Sequence, residues 1–167
     1  MWAEMTPAAV RGAAAGGVGK VALDMVTYLD MLLRGRAASD LPERAAEQMA
    51  RRLGIDLAGP GRAAHRRHAL ATVMGYSSGL ALGGLYGVVT ARRRETGGWV
   101  RPGMVAGLAA MAGTALPSTV AGLTDPRCWG LVGWLEDLVP HLAYGLVTAG
   151  THRALFANDR RRVQTLA

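Results

Sequence analysis

The sequence predicts an all-α membrane protein, a four-transmembrane-helix bundle with a short amphipathic connector helix between spans 1 and 2. Two observations lead to this fold class. Half of the 167 residues are apolar, yet the chain contains one Phe and 23 Gly, a composition that suits membrane helices whose small residues let backbones approach closely. The apolar residues also fall into four stretches of membrane-spanning length, separated by polar and arginine-rich segments.

The four predicted spans cover residues 8–33, 69–91, 103–123 and 129–152 of a single membrane domain, 1–167. Span 1 contains Lys20 and Asp24, which are four residues apart and can pair along one helix face that Tyr28 continues. An ionised group in the middle of a span costs roughly 2.5–3.5 kcal/mol on insertion scales. We therefore expect these two charges to pair or to reach another polar group.

The connector helix is predicted over residues 41–53. Asp40 occupies the N-cap position, Pro42 the first turn, and Glu43 follows three residues after the cap, which is a helix-start pattern. An apolar stripe opposes the charged face and consists of Leu41, Ala45, Met49 and Leu53. The helix is interpreted as a connector lying on the membrane surface or on the bundle, with docking of a partner as the alternative.

Spans 2 and 3 carry regularly spaced glycines. In span 2 a glycine zipper repeats every fourth residue, which makes a flat ridge for another helix or, alternatively, a ligand groove; its members are Gly75, Gly79, Gly83 and Gly87. In span 3 Gly103 and Gly107 predict another close contact, and Pro117 predicts a kink. A turn at 125–126 then makes spans 3 and 4 an antiparallel hairpin.

Span 4 carries a polar stripe. Asp137, His141 and Tyr144 recur at helical spacing and share one face, and Glu136 lies beside them. Titratable groups at membrane depth usually face a bundle interior or a cavity. We expect this stripe to meet span 1 in the bundle core, in a polar cluster that is either structural or an ion or proton pathway: Lys20, Asp24, Tyr28, Glu136, Asp137, His141 and Tyr144.

The charge distribution fits a membrane protein better than a nucleic-acid-binding one. Of the 19 basic residues 18 are Arg, and all of these except Arg11 lie outside the four predicted spans, where flanking arginines are expected. The expected partners are the lipid bilayer and a membrane protein partner or a second copy, with no nucleic acid. Nine arginines fall on each side, and the arginine runs at span ends favour cytoplasmic termini.

A resemblance covers the C-terminal third, residues 103–141. The motifs are GMVAGLAAMAG at 103–113, then Pro117, GLTDP at 122–126, Trp134, Glu136 and His141-Leu142. This segment resembles the YagU-like family of small bacterial inner-membrane proteins, and LVPHLAYG at 138–145 is similar to uncharacterised actinobacterial membrane proteins. The resemblance implies a multi-span helical protein of the bacterial cytoplasmic (inner) membrane, and it brings no catalytic residues to carry over.

The sequence predicts no enzyme, cofactor or metal site. Ser77, Ser78 and Ser118 lie in Gly- or Pro-rich helical contexts without a partnering base, where bonding to the backbone is the ordinary role. Asp137 and His141 have the spacing of two metal ligands, but no second histidine lies at membrane depth. The leading hypothesis is a scaffold or accessory subunit. The alternative is a proton- or ion-coupled transporter or channel that uses the polar cluster.

Overall fold

The computed structural model describes the backbone of residues 2–59, 61–92 and 98–165, and the side chains of 5–59, 61–91 and 98–156. These residues form five α-helices and a short 3-10 turn, and they contain no strand, which confirms the all-α class. The helices are α1 (Trp2–Arg34), α2 (Leu41–Arg52), α3 (Ala63–Arg92), α4 (Val100–Val120) and α5 (Gly130–Thr165), with the turn at Pro126–Cys128. The arginine runs at 92–94 and 160–162 have side chains outside the described residues.

The long helices pack in the spatial order α3, α1, α5, α4. α3 is antiparallel to α1, because Gly12 lies against Gly87 while Gly16 lies against Gly83. α5 is also antiparallel to α1, because the Arg11 guanidinium lies 5.0 Å from the Phe156 ring centroid near one end and Arg34 pairs with Glu136 near the other. The start of α1 and the end of α5 therefore lie at the same end of the bundle.

Glycines make two of the helix contacts close. A Cβ atom on Gly83 would lie 2.5 Å from the Cα atom of Gly16, so a larger residue there would push α1 and α3 apart. Between α4 and α5, a Cβ atom on Gly145 would lie 2.6 Å from the Cα atom of Gly107. The absence of side chains at these positions is what allows backbone-to-backbone contact.

Small residues occupy the interior and large apolar residues the exterior. The buried residues include Ala8, Ala15, Ala110 and Ala149. By contrast, Leu33 is 83% exposed and Val120 is 88% exposed. A protein that folds in water by burying large apolar side chains shows the opposite distribution.

Judged by length and composition, α4 (Val100–Val120) is the one helix among the described residues that is long and apolar enough to cross a membrane. Two of the other long helices, α1 and α5, carry charges among their apolar residues. α1 includes Lys20 and Asp24, and α5 includes Glu136 and Asp137. Pro117 lies inside α4, which continues as a helix to Val120.

Two details predicted for α2 differ from the structure. Asp40 is the N-cap residue but its side chain caps nothing; the Ser39 hydroxyl instead accepts a hydrogen bond from the Leu41 N–H at 3.2 Å. Glu43 does not close a capping box, and its carboxylate lies 3.1 Å from Nδ1 of His68.

The buried face of α2 also differs from the predicted stripe. Ala46 and Ala50 are buried, whereas Met49 is 44% exposed and Leu53 is 65% exposed. α2 packs mainly against α3, and alanines allow the closest approach there. The larger apolar residues are left on the outer side.

Candidate functional site

The seven residues of the predicted polar cluster form separate groups instead of one cluster between spans 1 and 4. Lys20 and Asp24 face α3, while Asp137 and His141 lie toward α4. The reason lies on α1, where neighbouring residues point about 100° apart. Gly19 contacts Tyr144 of α5, and Lys20 therefore turns toward α3.

Lys20 and Asp24 form a salt bridge near the middle of α1, with side chains 15% and 26% exposed. The Lys20 ammonium lies 4.7 Å from the centroid of the Tyr76 ring, within cation–π range. The Lys20 stem crosses the surface of α3 at two glycines of the ridge: a Cβ atom on Gly79 would lie 3.1 Å from its Cβ, and one on Gly75 3.3 Å from its Cε. The ridge therefore accommodates a charged side chain as well as a helix backbone.

Tyr28 continues the same face of α1 but is 60% exposed. It lies on the outer side of the bundle, so the structure does not bring it into the core with Tyr144.

Asp137 and His141 form a second group, between α5 and α4. The His141 Nδ1 nitrogen lies 2.7 Å from the Asp137 backbone carbonyl oxygen and 3.2 Å from Oδ1 of its carboxylate. The other ring nitrogen, Nε2, lies 3.4 Å from the Thr114 hydroxyl of α4. The contact with the Asp137 carbonyl oxygen, which can only accept, requires that Nδ1 carries a proton.

Tyr144 connects helices that are not neighbours. It is 3% exposed, and its hydroxyl donates a 2.7 Å hydrogen bond to the Gly79 carbonyl oxygen of α3. The bond passes α1 at Gly19, where a Cβ atom would lie 2.7 Å from the Tyr144 carbonyl oxygen. Gly79 also contacts the Lys20 stem. Tyr144 is therefore the residue of predicted span 4 that lies close to the Lys20–Asp24 pair of span 1.

Glu136 meets α1 at the C-terminal end of that helix, in an ion cluster that was not predicted from the sequence. This α1–α5 ion cluster consists of Asp30, Arg34, Arg36 and Glu136. Arg34 donates to both carboxylate oxygens of Asp30, at 2.6 and 2.7 Å, and also to Glu136 Oε1. Arg36 Nε lies 2.5 Å from Asp30 and 3.5 Å from Glu136. The four-residue spacing of Asp30 and Arg34 indicates that these two residues can pair along one face of a helix.

The carboxylates around Arg34 stabilise its charged form. Hydrogen bonds to Asp30, and then to Glu136, raise the pKa of the Arg34 guanidinium further above its ordinary value. The ion cluster contains two positive and two negative side chains. It is thus a neutral, mutually paired group at one end of the bundle.

Two buried polar side chains on α5 were not predicted as part of the cluster. Thr148 is fully buried, His152 is 6% exposed, and in the described part of the chain the Thr148 hydroxyl and the His152 Nε2 nitrogen have no hydrogen-bond partner. The His152 ring is packed edge-on against Tyr86 and Phe156, at centroid distances of 5.3 and 4.6 Å. These contacts are those of a packed aromatic core.

A groove of about 260 Å³ lies between α1 and α5 beside the ion cluster. Its charged end is formed by Asp30, Arg34 and Glu136. The rest of its wall is apolar and consists of Val26, Val132, Leu135, Val139 and Pro140. The groove therefore combines apolar walls with charged groups.

The described residues contain no group of three His, Cys, Asp or Glu side chains placed to hold a metal ion. Cys128 is exposed. The arrangement therefore offers ion pairs and an amphipathic groove, and the Cys128 thiol lies 3.8 Å from Oδ2 of Asp125.

Comparisons with family models, with curated proteins and with solved structures gave no match to this chain. The resemblance of residues 103–141 to the YagU-like family stays a prediction.

Proposed function

We propose that this chain is a multi-pass protein of the bacterial cytoplasmic membrane, in which α1, α3, α4 and α5 cross the bilayer as a four-helix bundle. The observation that carries the proposal is the distribution of side-chain sizes. Alanines and glycines fill the interior, whereas leucines and valines cover the outside, as with Leu32 at 76% and Leu131 at 77% exposure. Such a surface is compatible with lipid and is unfavourable in water.

The dimensions of α4 support this location. Its 21 residues span about 31 Å at 1.5 Å per residue, close to the roughly 30 Å hydrocarbon thickness of a bilayer. Trp99 directly precedes α4 and packs on Gly150, while Trp129 and Trp134 lie near its other end with ring centroids 5.1 Å apart. Tryptophans at both levels are typical of membrane–water interfaces.

The charged residues are arranged in a way that lowers the cost of insertion. The mid-helix charges Lys20 and Asp24 pair with each other, and the larger ion cluster lies at the end of α1, where headgroups would surround it. Charges in membrane segments persist when they are paired or close to the interface. Both the Lys20–Asp24 pair and the ion cluster are therefore compatible with a bundle that spans the bilayer.

Within the membrane, the arrangement supports a scaffold or accessory subunit. Each of the two ion pairs lies within one helix, and each has a member that contacts a neighbouring helix: Lys20 contacts Tyr76 of α3, and His141 contacts Thr114 of α4. Exposed Tyr28 and the connector α2 offer surfaces for a membrane partner or a second copy. In this function the polar residues stabilise the packing of the bundle, and any chemical reaction is carried out by the partner protein.

The experiment is membrane fractionation followed by purification in mild detergent. We expect the chain to remain in membranes after washing with alkaline carbonate and to be released by detergent. A stoichiometric membrane protein co-purifying with the chain, or a stable homo-oligomer, is expected for the accessory role. Recovery of the chain in the carbonate supernatant overturns the membrane assignment.

A proton- or ion-coupled transporter or channel is the second candidate. It is favoured by the position of the Lys20–Asp24 pair near the middle of α1, where Asp24 keeps 26% of its side chain exposed. Flux into liposomes containing the purified chain would support transport if it disappears in Asp24→Asn with the fold intact. Absence of flux under proton and cation gradients favours the accessory role.

A further inference from the structure

We propose that the groove between α1 and α5 binds one phospholipid with a phosphoethanolamine headgroup, with the headgroup at the α1–α5 ion cluster and an acyl chain along the apolar wall. The inference rests on the proposed membrane location. It assigns a ligand to a concave site that joins charged and apolar surfaces.

Along the helix axes the groove has a charged end and an apolar end, in the same order as the headgroup and acyl chain of a lipid in a leaflet. Its charged groups belong to the last two turns of α1 and the second turn of α5. Val26 lies two turns deeper on α1 than Arg34, and Pro140 lies one turn deeper on α5 than Glu136. A headgroup at the charged end therefore directs the acyl chain toward the middle of the bundle.

The apolar wall suits a single chain. Val132, Leu135 and Val139 are each about half exposed along one side of the groove, so they present apolar surface without being covered by another part of the described chain. The groove volume of about 260 Å³ is too small to hold a helix, whose diameter with side chains is about 10–12 Å. A flexible hydrocarbon chain fits where a helix does not.

The ion cluster keeps one donor and one acceptor for a ligand. Arg34 uses Nε and Nη2 for its carboxylate partners, and among the described residues its Nη1 nitrogen has no acceptor. Glu136 accepts at Oε1, and in the same part of the chain Oε2 has no donor. A phosphate can accept from Arg34 while an ammonium donates to Glu136, and both bonds are charge-assisted.

Pro140 adds a further acceptor at the same place. A proline within a helix has no N–H, so the Glu136 carbonyl lacks its usual intrahelical donor. That carbonyl oxygen belongs to the residue whose carboxylate lines the groove. A primary ammonium has three N–H groups and can serve both oxygens.

The balance of charge selects among lipids. Two arginines and two carboxylates make the cluster neutral, so a headgroup that carries both signs fits better than an anionic one. Phosphatidylglycerol has no cation for Glu136. Phosphatidylcholine has a cation without N–H groups, so it forms no hydrogen bond to a carboxylate.

The test is a lipid titration of the purified full-length chain followed by native mass spectrometry. Phosphatidylethanolamine, phosphatidylcholine and phosphatidylglycerol with identical acyl chains are added separately. We expect phosphatidylethanolamine to bind about tenfold more tightly than the other two, since a hydrogen bond to a charged group contributes about 1.5 kcal/mol or more.

Variants separate the two halves of the site. Val139→Trp fills the groove and should abolish binding of all three lipids, and Leu135→Trp serves the same purpose if Val139→Trp does not fold. Glu136→Gln should remove the preference for phosphatidylethanolamine over phosphatidylcholine while some binding remains. Val105→Trp, at a position on α4 that is 67% exposed and outside the groove, is the matched control and should bind like the wild type.

Equal affinity for the three lipids overturns the headgroup assignment, and unchanged binding in folded Val139→Trp and Leu135→Trp overturns the site. Either result with a carbonate-resistant chain leaves the proposed membrane location standing. A carbonate-soluble chain overturns that location, and the lipid site with it.

Discussion

The Tyr144 hydroxyl of α5 donates a 2.7 Å hydrogen bond to the Gly79 carbonyl oxygen of α3, although α1 lies between the two helices. The bond is made where α1 has Gly19, so the tyrosine passes without a steric clash. Three helices are thus joined at one level by a single buried side chain. The same carbonyl belongs to a glycine that contacts the stem of Lys20, which brings the polar residue of α5 next to the ion pair of α1.

Tyr144→Phe tests the contribution of this bond. Removing a buried hydrogen-bond donor is expected to lower the free energy of unfolding by about 1 kcal/mol. The measurement is thermal or denaturant unfolding in detergent, followed by circular dichroism. Tyr28→Phe is the matched control, because Tyr28 is 60% exposed, and equal stability loss in both variants would contradict the role of the interhelical bond.

Gly83→Ala tests the close approach of α1 and α3. The new Cβ atom would lie 2.5 Å from the Cα atom of Gly16, and overpacking of this kind costs typically 1–3 kcal/mol. Gly113→Ala is the control, since a Cβ atom there meets nothing within 4 Å, and helix propensity predicts a gain of up to about 1 kcal/mol. Unfolding in the same detergent should give shifts of opposite sign; the same sign in both would argue against the packing.

The Lys20–Asp24 pair is tested by a double-mutant cycle. Lys20→Met leaves the Asp24 carboxylate, with 26% of its side chain exposed, without its cation, and we expect a loss of about 1–2 kcal/mol for this partly buried pair. Adding Asp24→Asn should recover part of that loss, because both charges are then gone. Unfolding free energies of the wild type, both single variants and the double variant give the coupling energy. Strict additivity would mean that the pair does not stabilise the fold.

Leu108→Lys tests whether the outer face of α4 is in contact with lipid. Leu108 is 48% exposed near the middle of that helix, and a central lysine costs about 2.5–3.5 kcal/mol on insertion scales. The carbonate-resistant fraction should fall clearly below that of the wild type, while Leu108→Met should match the wild type. Full membrane retention of the lysine variant would show that this face is not in lipid.

Local patterns predicted the helices and the pairs within them. The spacing of Lys20 and Asp24, and of Asp137 and His141, indicated contacts along one helix, and both contacts are present. The cap of α2 could not be predicted in the same way, because Ser39 and Asp40 both offer side-chain oxygens and the backbone conformation selects Ser39. Likewise, Asp30 and Arg34 have pairing distance in the sequence, but Glu136, the second carboxylate that binds Arg34, is 102 residues away from it.

By itself the sequence determined the all-helical class, because this class depends on periodicity and on residue size along one helix. Only the tertiary structure decided which helix meets which face. Gly19 lets α5 approach α1, and Lys20, the next residue along the helix, then points to α3. Consecutive residues on a helix point about 100° apart. Which helix each of them contacts therefore depends on the steric fit between helices that are far apart in the chain. This steric fit separates the residues of the predicted polar cluster into different groups.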